Sequence, residues 1–180
     1  MDAALSRFER LILPHLGAGY NLARWLTRNA PDAEDVVQEA YLRAFRSFDG
    51  YRGGDARAWL LTIVRNTCYT WLKNNRGLAE SSPPDDEAGA HAVDVAGDPS
   101  AWPEAVAMRR ADAQLLREGL EQLPVEFRET VVLRELEDLS YKEIAAITGV
   151  PLGTVMSRLA RGRKQLQQYV TQRLKEGVER

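Results

Sequence analysis

Trp59, Thr62, Asn66, Tyr69, Thr70 and Lys73 fall on one side of a helix at about 100° per residue. Aromatic, amide, hydroxyl and ammonium groups in one stripe can stack unpaired bases, bond their edges and neutralise phosphate. The alternative use of Trp59 and Tyr69 is to cover a neighbouring helix. Just upstream, Tyr51, Arg52, Gly53, Gly54 and Asp55 form a loop whose glycines allow it to close around a base. Those glycines are too loosely spaced, and lack the Lys-Ser/Thr, to be a P-loop. A second set shares a face further on, with Thr154, Ser157, Arg161 and Lys164 flanked by Arg158 and Arg163. In a major groove Arg161, Ser157 and Lys164 would reach base edges, while Arg158 and Arg163 would hold phosphates. A third set is of another kind. Asp35, Gln38, Glu39 and Arg46 ring a lone Leu42, which is either a plain solvated face or a small protein-binding surface.

The elements that must position these sets read as helices, and strand signals are weak. Ser140-Tyr141-Lys142-Glu143 is a capping box that opens a short helix with Ile144, Ala145 and Ile147 inward. Thr148-Gly149-Val150-Pro151 stops it, because Gly149 tolerates a left-handed turn and Pro151 is preset for a new helix. That helix turns Val155, Leu159, Gly162 and Leu166 inward, so 141–160 and the following turn form a helix-turn-helix. Gly162 costs it up to ~1 kcal/mol relative to Ala, which close packing on a neighbour would explain. Val106–Leu120 and Val125–Leu136 precede it as two helices.

Nearer the start, Leu5, Phe8, Leu11 and Ile12 share a helical face that Pro14 breaks or kinks, before a segment carrying Leu22, Trp25 and Leu26. Pro31-Asp32 offers a new helix start. Val36, Val37, Ala40, Tyr41, Ala44, Phe45 and Phe48 cover its broad apolar face, opposite Leu42. The next helix runs from about Ala56 to Arg76, with Leu60, Leu61, Val64, Cys68, Trp71 and Leu72 on its core side.

The chain holds 24 Lys/Arg and 26 Asp/Glu, a net charge of −2 that hides a segregation. Residues 77–105 carry seven acids and no base, whereas Ala56–Ala79 and Ile144–Lys175 carry no acid at all. Phosphate binding depends on the local field, so two basic faces outweigh a mildly acidic total. Ser81-Ser82-Pro83-Pro84 and the glycines and prolines after it cannot bury enough surface to offset ordering. We read 77–105 as a flexible acidic linker, with one small helical domain over 1–76 and another over 106–180. The alternative is a long surface loop within one domain. One cysteine and two histidines exclude a disulfide within the chain and an ordinary Cys/His zinc site. No nucleophile–base pair, metal cluster or phosphate loop is found, so neither an enzyme nor a cofactor is expected. No apolar run approaches the ~20 residues that span a bilayer, and no signal pattern opens the chain, so a cytoplasmic protein is expected. A self-contained dimeric helix-turn-helix regulator is disfavoured because no dimerisation heptad is evident.

Taken together, these residues resemble a bacterial sigma factor of the extracytoplasmic-function (ECF) type, in the RNA polymerase sigma-70 family. Asp32-Ala33-Glu34-Asp35 through Ala44-Phe45 resembles the segment that grips the clamp of core RNA polymerase. Ala58-Trp59-Leu60 through Arg65-Asn66-Thr67 resembles the promoter-melting helix. Tyr141-Lys142-Glu143-Ile144-Ala145 through Ser157-Arg158-Leu159 resembles the helix-turn-helix for the −35 element, with Met156 where relatives often carry arginine. The resemblance implies core binding through 35–48 by Asp35, Gln38, Glu39, Leu42 and Arg46. It implies −10 recognition by Tyr51, Arg52, Trp59, Asn66, Tyr69, Thr70 and Lys73. It further implies −35 recognition by Thr154, Ser157, Arg158, Arg161, Arg163 and Lys164, and an anti-sigma factor as antagonist. Two promoter elements about two duplex turns apart are separated by ~70 Å. A linker of about 28 residues reaches at most roughly 100 Å, so it spans that gap.

Overall fold

The computed structural model describes residues 2–75 and 103–178; the expected linker lies outside the described residues as far as 102. Every regular element among the described residues is a helix, the all-α class expected. Helix α1 (Asp2–Ile12) ends at a 3₁₀ turn, Leu13–His15, where Pro14 removes a donor and redirects the chain into α2 (Leu16–Thr27). Arg28 closes α2 at φ 68°, and its amide donates to the Arg24 carbonyl. Helix α3 (Ala30–Ser47) starts one residue before the expected Pro31, because the Asn29 side chain caps it by accepting from the Asp32 amide at 2.8 Å. Helix α4 (Ala56–Asn74) is capped by Asp55, whose carboxylate accepts from the amides of Arg57 and Ala58.

Helices α2, α3 and α4 pack on one another, with α1 against α4. Ile12, Leu22, Leu26, Leu60, Leu61 and Val64 are fully buried between them. Phe8 sits at the hub of a ring cluster, edge-on to Tyr41, Phe45 and Phe48 at centroid distances of 5.8, 5.2 and 5.1 Å. Phe45 lies at the rim of that cluster and stays half exposed, unlike the rest of the apolar face assigned to α3. Burial pushes the Tyr41 hydroxyl up to about 12 and leaves it without a hydrogen-bond partner. Cys68 is buried, and desolvation raises its thiol, so it is an inert core residue.

The second group begins with α5 (Pro103–Gln122), three residues earlier than the pattern suggested. Helix α6 (Val125–Val131) widens into a π-helical turn, Val132–Leu136, in which the Glu137 amide donates to the Val132 carbonyl. Helices α7 (Tyr141–Thr148) and α8 (Leu152–Val178) form the helix-turn-helix. Its capping box is complete: Ser140 Oγ accepts from the Glu143 amide, and Glu143 Oε2 accepts from the Ser140 amide at 2.6 Å. Gly149 turns left-handed at φ 70°, and Val155 and Leu159 close the core beneath α7.

Gly162 has the packing that its cost in a helix called for. A Cβ there would stand 2.8 Å from Val131 Cγ2 and 3.5 Å from the Phe127 backbone carbonyl. Gly162→Ala gains up to ~1 kcal/mol of helix propensity but incurs ~1–3 kcal/mol of overpacking. The variant is expected to melt about 2–4 °C lower for each kcal/mol of net loss, as read by thermal unfolding; an unchanged or higher Tm would contradict this contact.

Candidate nucleic-acid interface

The outer face of α3 is as open as its sequence required. Asp35, Gln38 and Arg46 are exposed, and Leu42 retains 51% of its surface. Glu39 pairs with Arg43 at 2.7 Å along the same face. Phe45 adds a second exposed apolar side chain that the sequence had placed in the core. Position along the helix could not reveal this, since the face is apolar there and only the packing of α1 decides its edge.

The loop before α4 is built on aromatic packing. Tyr51 is 7% exposed, stacks on Phe48 at 5.7 Å and donates its hydroxyl to the Gly54 carbonyl at 2.7 Å. Trp59 leans on Tyr51 and Phe48 at 5.1 and 6.2 Å and is half-buried. Gly53 and Gly54 turn at φ 96° and 99°, values side chains rarely adopt, so the loop shape needs them. In this arrangement Tyr51 and much of Trp59 form the wall of the loop. Arg52 at its tip, and Asn66, Thr70 and Lys73 along α4, are exposed.

Tyr69 belongs to a different environment. It lies half-buried under Arg65, whose guanidinium carbon stands 4.2 Å from the ring centroid. Its hydroxyl donates to Glu129 of α6 at 3.0 Å, and Arg65 Nε donates to the other oxygen of that carboxylate. Desolvation raises the Tyr69 hydroxyl, with the Glu129 charge adding to it. Desolvation likewise raises the Glu129 carboxyl, against the pull of Arg65 and Tyr69. Arg57 donates to the Glu137 carbonyl at 2.8 Å and to its carboxylate. From the other side, Arg128 donates to the Trp25 carbonyl in the last turn of α2 at 2.9 Å; burial lowers its guanidinium to about 10. Neither Arg57 nor Arg65 figured among the site residues read from sequence.

On α8, Ser157, Arg161 and Lys164 are exposed and Thr154 is half-buried. Ser157 Oγ donates to the Thr154 carbonyl at 3.1 Å, a bond that a base edge can replace. Arg163 is half exposed and paired with Glu135 of the π turn. Arg158 is partly covered, close enough to Glu129 to stabilise its charge. The open face of α8 also carries Met156 and Leu152, apolar side chains at 52% and 43% exposure. No group of His, Cys, Asp and Glu among the described residues could hold a metal ion.

Comparison with known proteins connects the two groups of helices. The family model for sigma-70 region 2 matches 11–77, and that for sigma-70, region 4 matches 113–166. The ECF RNA polymerase sigma-E factor of Escherichia coli is 34% identical over 160 residues, 84% of this chain and 81% of the relative. The chain belongs to the ECF sigma factors. The resemblance read from sequence is therefore correct at the level of the family. The ECF RNA polymerase sigma factor SigE of Mycolicibacterium smegmatis is 37% identical over 169 residues, 94% of this chain, which spans only 63% of that relative. Among solved structures, the sigma factor RpoE in complex with the anti-sigma factor NepR from Bartonella quintana aligns with a TM-score of 0.70. It is 27% identical, over 92% of this chain and 97% of that one. The structure of CnrH in complex with the cytosolic domain of CnrY shares the fold, with a TM-score of 0.60 over 91% of this chain and 87% of that one.

The two halves of the α4 stripe should respond differently to mutation. Trp59→Ala removes a half-buried ring and should cost about 2 kcal/mol, part of the ~3–5 kcal/mol of a fully buried tryptophan. Asn66→Ala should stay within about 0.5 kcal/mol. Denaturant unfolding of both variants checks this, and equal stability would place Trp59 outside the loop wall.

Proposed function

We propose that this chain is a transcription initiation factor. It docks on core RNA polymerase through the α3 face around Leu42 and directs the enzyme to promoters. Supporting this is one observation: exposed Leu42 and Phe45 lie on a charged face, while Lys73 on α4 and Arg161 and Lys164 on α8 stand exposed on stretches of sequence without an acid. Asn66, Thr70 and Lys73, with Arg52 on the adjoining loop, read the −10 element as a single strand. A duplex hides base faces in the stack, so these groups gain most from bases already separated. Trp59 and Tyr51 hold the loop in the shape that receives a base. Arg161, Ser157 and Lys164 read the −35 duplex from the major groove, with Thr154, Arg158 and Arg163 toward the backbone. The protein divides into a core-binding and −10 domain over 1–76, a linker over 77–105 and a −35 domain over 106–180. It is not an enzyme, and it acts in the cytoplasm. No helix among the described residues is long and apolar enough to cross a membrane. The protein answers envelope stress and is held by an anti-sigma factor; the likeness to the sigma factor RpoE, solved in complex with the anti-sigma factor NepR, supports the antagonist.

Run-off transcription from a promoter library tests the proposal: core polymerase plus this chain should yield discrete transcripts that core alone does not. No added transcript from any promoter would refute it. Leu42→Ala with Glu39→Ala should weaken core binding about tenfold or more while leaving the melting temperature unchanged, because neither side chain supports the core. Arg161→Ala should cost ~1–3 kcal/mol at the −35 element and relax preference at one base pair. A loss spread evenly over all promoters in the library would make Arg161 a phosphate contact.

A further inference from the structure

The open face of α8 is made of two parallel ridges, because side chains four residues apart line up along a helix. Gly153, Ser157 and Arg161 form one ridge, and Leu152, Met156 and Ala160 form the next, one residue over. All three side chains of the second ridge are exposed. An amphipathic helix ordinarily turns polar residues outward, and the buried side of α8 is already supplied by Val155 and Leu159. A contiguous apolar ridge on the outer side therefore serves no packing within the chain. Gly153 is an independent sign at the same place. A Cβ on Gly153 would meet nothing within 4 Å, whereas one on Gly162 would strike Val131. A neighbour in the chain accounts for Gly162, but none accounts for Gly153, although glycine weakens a helix. Its bare backbone leaves the first turn of α8 open to close approach from outside.

We propose that the Leu152–Met156–Ala160 ridge reads thymine methyl groups in the −35 element, with Met156 as the specificity-determining side chain. This contact rests on the reading of α8 as the −35 helix and adds a base chemistry to it. Thymine presents an apolar C5-methyl group in the major groove, and apolar side chains are what recognise it. The N-terminal residues of a recognition helix are the ones that meet base edges. Leu152 and Met156 lie in the first two turns of α8, ahead of Arg161 and Lys164. Ser157, on the adjoining ridge, then faces hydrogen-bonding groups of the same or the next base pair, so the two ridges share one groove. The unbranched thioether of Met156 can adapt to methyl groups on successive pairs. Charge favours a duplex over an apolar protein as the occupant. Ile144–Lys175 carries no acid, and exposed Arg161 and Lys164 stand beside the ridge, where a phosphate backbone would meet them.

Deoxyuridine pairs as thymine does and lacks only the methyl group, so it isolates this contact. Closed-complex formation by core polymerase with the full chain is measured by filter binding, on a promoter recovered from the run-off library. Each thymine of its −35 element, on either strand, is replaced in turn by deoxyuridine. At one or more positions the replacement should weaken binding by the wild type about fourfold, the worth of one methyl group taken out of water. Met156→Gln keeps the length of the side chain and makes its end polar, and it should bind the thymine and deoxyuridine promoters alike. Met156→Leu, which stays apolar, should restore the preference for thymine. Met156 is exposed and supports no core, so both variants should keep the wild-type melting temperature. Equal preference for thymine in the wild type and in Met156→Gln overturns Met156 as the reader, and is the result expected if the ridge docks on a protein. A wild type indifferent to deoxyuridine at every −35 position overturns the methyl contact and leaves −35 reading standing. Indifference to scrambling the whole −35 element instead overturns −35 reading, and the methyl contact with it.

Discussion

A carboxylate without access to water sets the terms for the rest of this molecule. Glu129 is fully covered, and moving such an ion out of water costs several kcal/mol unless its lone pairs are filled. Arg65 and Tyr69 of α4 fill them, and both come from the other end of the sequence. The position of the helix-turn-helix relative to α4 is thereby tied to this ion pair, together with Arg57–Glu137 beside it. Ion pairs of this kind contribute little net stability, yet they fix geometry sharply, because every alternative placement leaves a bare charge. The surrounding links, Arg57 with Glu137 and Arg128 with the Trp25 carbonyl, are polar too, and their geometry fixes the register of the interface.

Within the first group of helices, a different physical rule governs. Aromatic rings interlock from α1 through the loop to α4, Phe8 edge-on to Phe48, Tyr51 stacked on Phe48 and Trp59 tilted against Tyr51, so the Tyr51–Asp55 loop inherits its shape from the core. Gly53 and Gly54 supply the positive φ that the loop needs. The same cluster reaches Phe45 at the edge of the α3 outer face. A rigid support under both α3 and the loop keeps their two exposed surfaces in fixed relation, as the proposed docking and base-reading roles require.

What could be read from the sequence was the local chemistry. Ser140 and Glu143 are three residues apart, and Gly149 and Pro151 mark a turn by their own backbone preferences, so the helix-turn-helix was legible without any fold. Gly162 announced a close approach through its cost alone. The expectation failed to anticipate what depends on distant partners. Tyr51 and Trp59 have the types that stack bases, and their rings pack on Phe48, the packing use that the sequence had left open for Trp59. Tyr69 and Arg65 meet a carboxylate 60 and 64 residues away. The π turn after Val131 is equally invisible, because widening by one residue leaves the apolar pattern of Val125–Leu136 intact.

Opening of promoter DNA by these helices, once joined to polymerase, is the decisive event. Permanganate footprinting on a duplex promoter recovered from the run-off library measures this directly, by marking unpaired thymines. Core polymerase with the chain should expose thymines across the −10 element, whereas core alone and the chain alone should leave them protected. Exposed thymines with core alone, or a −10 element that stays paired with both present, would contradict the account.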